Sequence, residues 1–156
     1  MLKILVAVDG SELSLDGVRL TLQWLQQGLQ ATVVLAHVQE PASLYELVTS
    51  RDPDLIAAAS VEAGEHLLAP ARALLEAAGV AYETDIGLGD PAHTLVDMAE
   101  RNGADMVVIG AKGHGALSSA LLGSVSQEVA RACAAPVTIV KHLQDALVDG
   151  DAEGDD

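Results

Sequence analysis

The fold is decided by the stretch Met106-Val107-Val108-Ile109-Gly110-Ala111-Lys112-Gly113, which is followed after nine residues by Gly123-Ser124. The apolar run indicates a buried strand, the glycines indicate a loop, and Ser124 indicates the beginning of a helix. Such a loop presents backbone N–H groups and the positive end of a helix dipole to an anion. Alternatively, the glycines are ordinary turn residues and Ser124 forms an S-x-x-Q capping box with Gln127. The spacing alone leaves both interpretations open.

The rest of the chain alternates strands and helices around this unit. Runs of branched apolar residues predict strands at 2–8, 31–38, 80–86, 105–109 and 136–140. Helical spacing predicts helices from Ser11 or Ser14 to Gly28 and at 53–78, 91–103 and 124–134, with a turn at 87–90. This alternation predicts an α/β fold: a single Rossmann-like domain with a five-stranded parallel sheet, strand order 3-2-1-4-5, and helices on both faces.

The chain is strongly acidic, with 23 Asp and Glu against 8 Lys and Arg and a formal net charge of −15. Nucleic acids and anionic membrane surfaces require a basic face on the protein, so neither is expected as a partner. Six of the acids lie in the last twelve residues, which contain no base. We therefore expect one domain at residues 1–143 and an acidic, disordered tail at 144–156.

The sequence also carries signals about the cellular compartment. No apolar run reaches the ~18 to 20 residues that cross a bilayer, and we see no signal-peptide pattern at the N-terminus. Because Cys133 is the single cysteine, no internal disulfide can form. These features predict a cytoplasmic protein without membrane insertion.

Two loops leave the carboxyl ends of predicted strands: Asp9-Gly10-Ser11 after strand one, and Gly110-Ala111-Lys112-Gly113 after strand four. Open α/β sheets bind ligands beyond the carboxyl ends of their strands, where the strand order reverses. If strands one and four are neighbours, both loops meet at one crevice. The sequence therefore predicts a phosphate-containing ligand there.

The pattern Gly110-x-x-Gly113-x9-Gly123-Ser124 resembles the signature of the universal stress protein family. The final strand, Pro136 to Val140, and the opening run from Ile4 to Ser11 are similar to that family as well. Members with this glycine signature bind ATP, so the resemblance implies an ATP-binding regulatory protein that holds ATP with Mg²⁺ or Mn²⁺ and signals its nucleotide state to a partner. It also implies a homodimer through strand Pro136 to Val140, whose apolar edge invites pairing with a second chain.

The resemblance further implies which residues contact ATP. Asp9 is the polar contact to base or ribose, and Val38 lines the adenine pocket. The residues expected against the adenosine are Ala7, Val8, Asp9, Val38, Ile109 and Gly110. Those expected along the phosphates are Lys112, Gly113, His114, Gly123, Ser124, Val125 and Ser126.

Other functions have less support. A slow ATPase, or a binder of another adenine nucleotide such as cyclic AMP, remains an alternative, and no residue is nominated as catalytic. The chain has no G-x-x-x-x-G-K-[ST] P-loop and no G-x-S-x-G elbow. Its histidines show no metal-ligand spacing, and His37, at a strand end, is expected to be a packed histidine.

Overall fold

The computed structural model of the chain describes residues 1–41, 52–112 and 122–141. In these ranges it contains five strands: β1 (Leu2–Ala7), β2 (Ala31–Gln39), β3 (Tyr82–Leu88), β4 (Met106–Gly110) and β5 (Val137–Val140). It also contains four helices: α1 (Glu12–Gln26), α2 (Pro53–Ala77), α3 (Pro91–Arg101) and α4 (Ser124–Ala132). The expected tail at 144–156 lies outside the described residues. None of the helices in the described ranges is long and apolar enough to cross a membrane.

All five strands are parallel and lie in the order β3-β2-β1-β4-β5, which confirms the predicted α/β architecture. β1 is central: Ala7 pairs with Ala36 of β2, and Val6 pairs with Val108 of β4. The carboxyl ends of β1 and β4 are therefore adjacent. This juxtaposition brings the two glycine-containing loops to the same edge of the sheet.

The sheet is covered on both faces, which explains why β1 is apolar without interruption from Ile4 to Ala7. Ile4 and Val6 belong to a core cluster with residues of α1 and α2, whereas Leu5 and Ala7 belong to a second cluster with residues of α3 and α4. Successive side chains of a strand point to opposite faces, so each face receives every second residue. The four side chains are at most 8% exposed.

The position of β3 differs from the prediction. The strand begins at Tyr82 and continues through Gly87 to Leu88, because these residues pair with the last seven residues of β2. Gly87 was expected to begin a turn, but it lies inside the strand. A Cβ atom there would lie 2.7 Å from Cγ2 of Thr94 on α3. The glycine thus permits close packing of α3 on β3, and the turn begins at Gly89 instead.

Candidate functional site

A cleft of about 520 Å³ opens at the carboxyl ends of the strands. It is lined by every predicted contact residue that the structure describes: Ala7, Val8, Asp9, Val38, Ile109, Gly110, Lys112, Gly123, Ser124, Val125 and Ser126. The predicted contacts Gly113 and His114 lie outside the described residues. The structure therefore brings together residues from β1, β2, β4 and α4 that are far apart in the sequence.

Small side chains on one face of the sheet leave room for this cleft. Toward the beginning of the strands, Leu5 and Val34 fill the space below α3 and α4; two residues later, Ala7 and Ala36 occupy the same face. Both alanines line the cleft. Because these alanines are smaller than the leucine and valine before them, they leave an apolar floor in the cleft. Such a floor suits a planar or ring-shaped group.

Several cleft residues were not predicted from the sequence. They are Ser14, Ala36, His37, Gln39, Glu40, Leu67, Pro91 and Leu95. Ala36 could have been predicted from the sequence, because it precedes Val38 by two residues and lies on the same face of β2. Leu67 and Leu95 carried no such signal, since they reach the cleft only through the packing of α2 and α3.

The connection from β1 to α1 holds the Asp9 carboxylate in a local hydrogen-bond network. Oδ1 of Asp9 accepts bonds from the backbone N–H of Ser11 at 2.9 Å and from its hydroxyl at 2.5 Å. The Ser11 hydroxyl oxygen also accepts from the N–H of Ser14 at 3.2 Å, which caps α1. The Ser14 hydroxyl in turn donates to the carbonyl of Ser11 at 2.9 Å.

His37 connects the end of β2 to the same loop. The side chain is 3% exposed, and its Nδ1 lies 2.7 Å from the carbonyl oxygen of Val8. Because a carbonyl only accepts, Nδ1 carries a proton and donates. Nε2 lies 3.1 Å from Oε1 of Gln39. His37 is thus a packed, hydrogen-bonded histidine, as expected, and it fixes the backbone immediately before Asp9.

The backbone of Val38 lies beyond the last residue of β1 that pairs with β2. The carbonyl of Ala36 accepts from Val8 N at 2.8 Å on the β1 side, and the carbonyl of Gln39 accepts from Gly89 N at 3.1 Å on the β3 side. Peptide groups of a strand in a parallel sheet alternate between its two neighbours. The N–H and C=O of Val38 therefore point to the β1 side, beyond the last paired residue, Ala7.

The beginning of α4 forms another wall of the cleft. Gly123 is the N-cap residue and has no side chain with which to cap the helix, and the first turn of α4 contains no acid. The expected alternative of a Ser124–Gln127 capping box is wrong, since the Gln127 side chain donates to the carbonyl of Leu122 at 2.8 Å instead. The first N–H groups of an α-helix have no partner within the helix and attract anions. Their position in the cleft favours the anion-binding interpretation.

Two glycines of the signature also have a packing role that the sequence did not reveal. A Cβ atom on Gly123 would lie 3.3 Å from the carbonyl oxygen of Ala111, and one on Gly110 would lie 3.3 Å from that of Lys112. The N–H of Gly123 donates to Ala111 at 2.7 Å, and the Ser126 hydroxyl donates to the same carbonyl at 3.0 Å. Gly123 therefore lets the start of α4 pack tightly against the loop after β4, and Gly110 lets that loop turn tightly on itself beside α1.

The charged side chains lining the cleft are of mixed sign: the carboxylates of Asp9 and Glu40, and the ammonium group of Lys112. Within the ranges that the structure describes, no group of three or more His, Cys, Asp or Glu side chains could hold a metal ion. A ligand that supplies its own oxygen donors would bring a divalent cation to the cleft without such a group.

Comparison with known proteins gives consistent matches over nearly the whole chain. The model of the universal stress protein family matches residues 1–141. Universal stress protein MJ0531 of Methanocaldococcus jannaschii is 30% identical over 139 residues, which cover 89% of this chain and 81% of that protein. The solved structure of hypothetical protein MJ0577 is similar with a TM-score of 0.75 and 26% identity, covering 90% of this chain and 96% of the other. A universal stress protein solved in complex with cAMP has a TM-score of 0.62 and 28% identity, covering 89% and 95%.

Proposed function

The chain belongs to the universal stress protein family, and from this premise we propose that it binds ATP with Mg²⁺ or Mn²⁺ in the cleft. The adenine contacts the backbone of Val38, and the phosphates contact the first turn of α4. The protein acts as a cytoplasmic regulator that passes its nucleotide state to a partner protein. The observation that carries the proposal is the N-terminus of α4, which begins after a glycine N-cap and lines the same cleft as Val38.

Adenine has the hydrogen-bonding edge that fits Val38. Its N6 amino group is a donor and the neighbouring N1 is an acceptor, whereas the Val38 backbone offers one C=O and one N–H on the same side of β2. The apolar floor below, which includes Ala7 and Ala36, supports a flat ring. These features together favour an adenine nucleotide.

The charges explain why a cation is part of the proposal. ATP carries about four negative charges, and its triphosphate would approach the carboxylates of Asp9 and Glu40 as well as Lys112. A Mg²⁺ or Mn²⁺ ion bound to the phosphate oxygens neutralises half of that charge. The N–H groups of Ser124, Val125 and Ser126 then hold the phosphates. The Ser126 hydroxyl does not add a donor to them, because its proton is donated within the protein.

Cyclic AMP is the second candidate ligand. A relative that is 28% identical to this chain was solved in complex with cAMP. The cyclic nucleotide has the same adenine edge but a single negative charge, so the carboxylates in the cleft oppose it less.

Calorimetric titration separates these ligands. We expect ATP to bind with one nucleotide per chain in the presence of Mg²⁺ and at least about tenfold more weakly in the presence of a chelator, because the cation offsets the charge repulsion. Displacement of ATP by an equimolar amount of cAMP would identify the cyclic nucleotide as the ligand. Absence of heat and of thermal stabilisation with both nucleotides would contradict the proposed function.

We also propose that the protein forms a homodimer through the strand from Pro136 to Val140. β5 is an edge strand of the sheet, and its residues are half-buried in the single chain. The carbonyl of Pro136 accepts from Val107 N in β4, and that of Val140 accepts from Ala111 N directly after β4. The alternate residues Val137 and Ile139 therefore direct their N–H and C=O groups outward. These outward groups support pairing with the same strand of a second copy.

The outward direction of these groups allows a specific test of the dimer. Ile139→Pro removes an N–H that faces away from β4, so we expect a folded monomer in analytical ultracentrifugation. Thr138→Pro is the matched control: its N–H faces β4, and its loss should destabilise the sheet edge and lower the melting temperature. A dimer that persists in folded Ile139→Pro would contradict pairing through β5.

A further inference from the structure

We propose that Ser11 is a positioning residue for the nucleotide, whose hydroxyl orients the Asp9 carboxylate toward a ribose hydroxyl. This inference rests on the proposed function, because it names a residue that acts on the same site through another residue. Asp9 lines the cleft and Ser11 does not. Any effect of the Ser11 hydroxyl on the nucleotide therefore passes through the side chain of Asp9.

The geometry fixes the carboxylate strongly. Both hydrogen bonds from Ser11, one from its N–H at 2.9 Å and one from its hydroxyl at 2.5 Å, end on the same oxygen, Oδ1 of Asp9. Two donors on one oxygen oppose rotation of the carboxylate. A carboxylate has about four acceptor positions, so one carboxylate can accept from the protein and from a ligand at the same time.

The direction of the Ser11 hydroxyl is itself determined by α1. Its oxygen accepts from the N–H of Ser14 at 3.2 Å, and its proton is donated to Asp9. The Ser14 hydroxyl donates to the carbonyl of Ser11 and lies 3.4 Å from the N–H of Asp9, for which it is the acceptor. The carboxylate is consequently attached to the first turn of a helix whose next turns are buried in the core. Such attachment keeps a binding group in one orientation before the ligand arrives.

The strand order indicates which part of the nucleotide Asp9 meets. Val38 lies at the end of β2, Asp9 follows β1, and the loop that leads to α4 follows β4, with β1 between β2 and β4. In ATP the ribose lies between the base and the phosphates. With adenine at Val38 and phosphates at α4, the ribose lies next to Asp9, and its hydroxyl groups are the donors that a carboxylate accepts.

Titrations with deoxy nucleotides test this role. We expect Ser11→Ala to weaken ATP binding by about tenfold, the loss that follows when a charged hydrogen bond is misoriented. The same substitution should weaken binding of either 2′-deoxyATP or 3′-deoxyATP, whichever lacks the hydroxyl that Asp9 accepts, by less than about twofold. The loss is smaller for the deoxy nucleotide because it lacks the hydroxyl that the oriented carboxylate would accept.

Two further variants separate orientation from helix capping. Glycine is nearly as good an N-cap as serine, so Ser11→Gly should leave the thermal stability close to that of the unsubstituted protein and still show the binding defect. Ser11→Thr keeps both a hydroxyl and the cap, and should restore ATP binding. Equal losses for ATP and both deoxy nucleotides, with ATP binding to the unsubstituted protein intact, would overturn the role of Ser11 and leave the proposed function standing. Failure of the unsubstituted protein to bind ATP would overturn both.

Discussion

Replacing Ser124 with aspartate is expected to weaken ATP binding by at least about 100-fold, or about 2.7 kcal/mol, without lowering the melting temperature. Ser124 is exposed and occupies the first position of α4. An acid at this position stabilises a helix by about 0.3–1 kcal/mol, since it faces the positive end of the dipole. The same carboxylate would repel a phosphate about 4 Å away by about 4 kcal/mol before screening.

The matched control is Ser124→Asn, which has nearly the same shape and no charge. We expect calorimetry to give an affinity within about fivefold of the unsubstituted protein for this variant. Comparison of the two variants separates the effect of charge from the effect of side-chain shape. Substitution of Gly123 would not separate them, because a side chain there would contact the Ala111 carbonyl. Equal ATP affinities for the aspartate and asparagine variants would show that the phosphates do not bind at α4.

ATP is also expected to bind at least about 100-fold more tightly than GTP. Guanine has an acceptor, O6, where adenine has the N6 donor, and an N1–H donor where adenine has an acceptor. Both groups would face like groups of the Val38 backbone. Each polar group left unpaired in the cleft costs about 1–3 kcal/mol, so two mismatches cost about 2–6 kcal/mol together. The middle of that range, about 4 kcal/mol, exceeds the roughly 2.7 kcal/mol that corresponds to about 100-fold.

Inosine triphosphate provides the control for this selectivity. Its base has the O6 and N1–H groups of guanine but lacks the 2-amino group. If the Val38 backbone recognises the base, competition titrations should show that inosine triphosphate binds as weakly as GTP. Binding as tight as that of ATP would mean that only the bulk of the 2-amino group is excluded, and the assignment of Val38 would be wrong.

The architecture and much of the cleft follow from local sequence patterns. β1 and β4 are largely apolar strands followed by glycine-containing loops, and the parallel α/β arrangement places such ends at one edge of the sheet. The position of β3 was not predictable in this way, since Gly87 signals a turn but is required where Thr94 packs closely. Pairing with β2 outweighed the local preference of the glycine.

The contributions of the helices to the cleft also depend on tertiary packing. Leu67 lies midway along α2, and its side chain lies where a Cβ atom on residue 10 would be. Gly10 has no Cβ atom, and its φ of 89° also favours glycine. No local pattern distinguishes Leu67 from the other leucines of that helix. The N-cap of α4 is a similar case. Serine is the stronger capping residue by preference, but Gly123, whose N–H donates to the carbonyl of Ala111, is the N-cap residue, and the helix begins at Ser124 as predicted.

The most direct test of the central claim is a crystal structure of the protein grown with saturating ATP and Mg²⁺. We expect electron density for one nucleotide per chain, with the adenine edge at the backbone of Val38 and the phosphates at the N–H groups of Ser124 and Val125. A cleft without nucleotide under these conditions, or a triphosphate bound away from the first turn of α4, would contradict it.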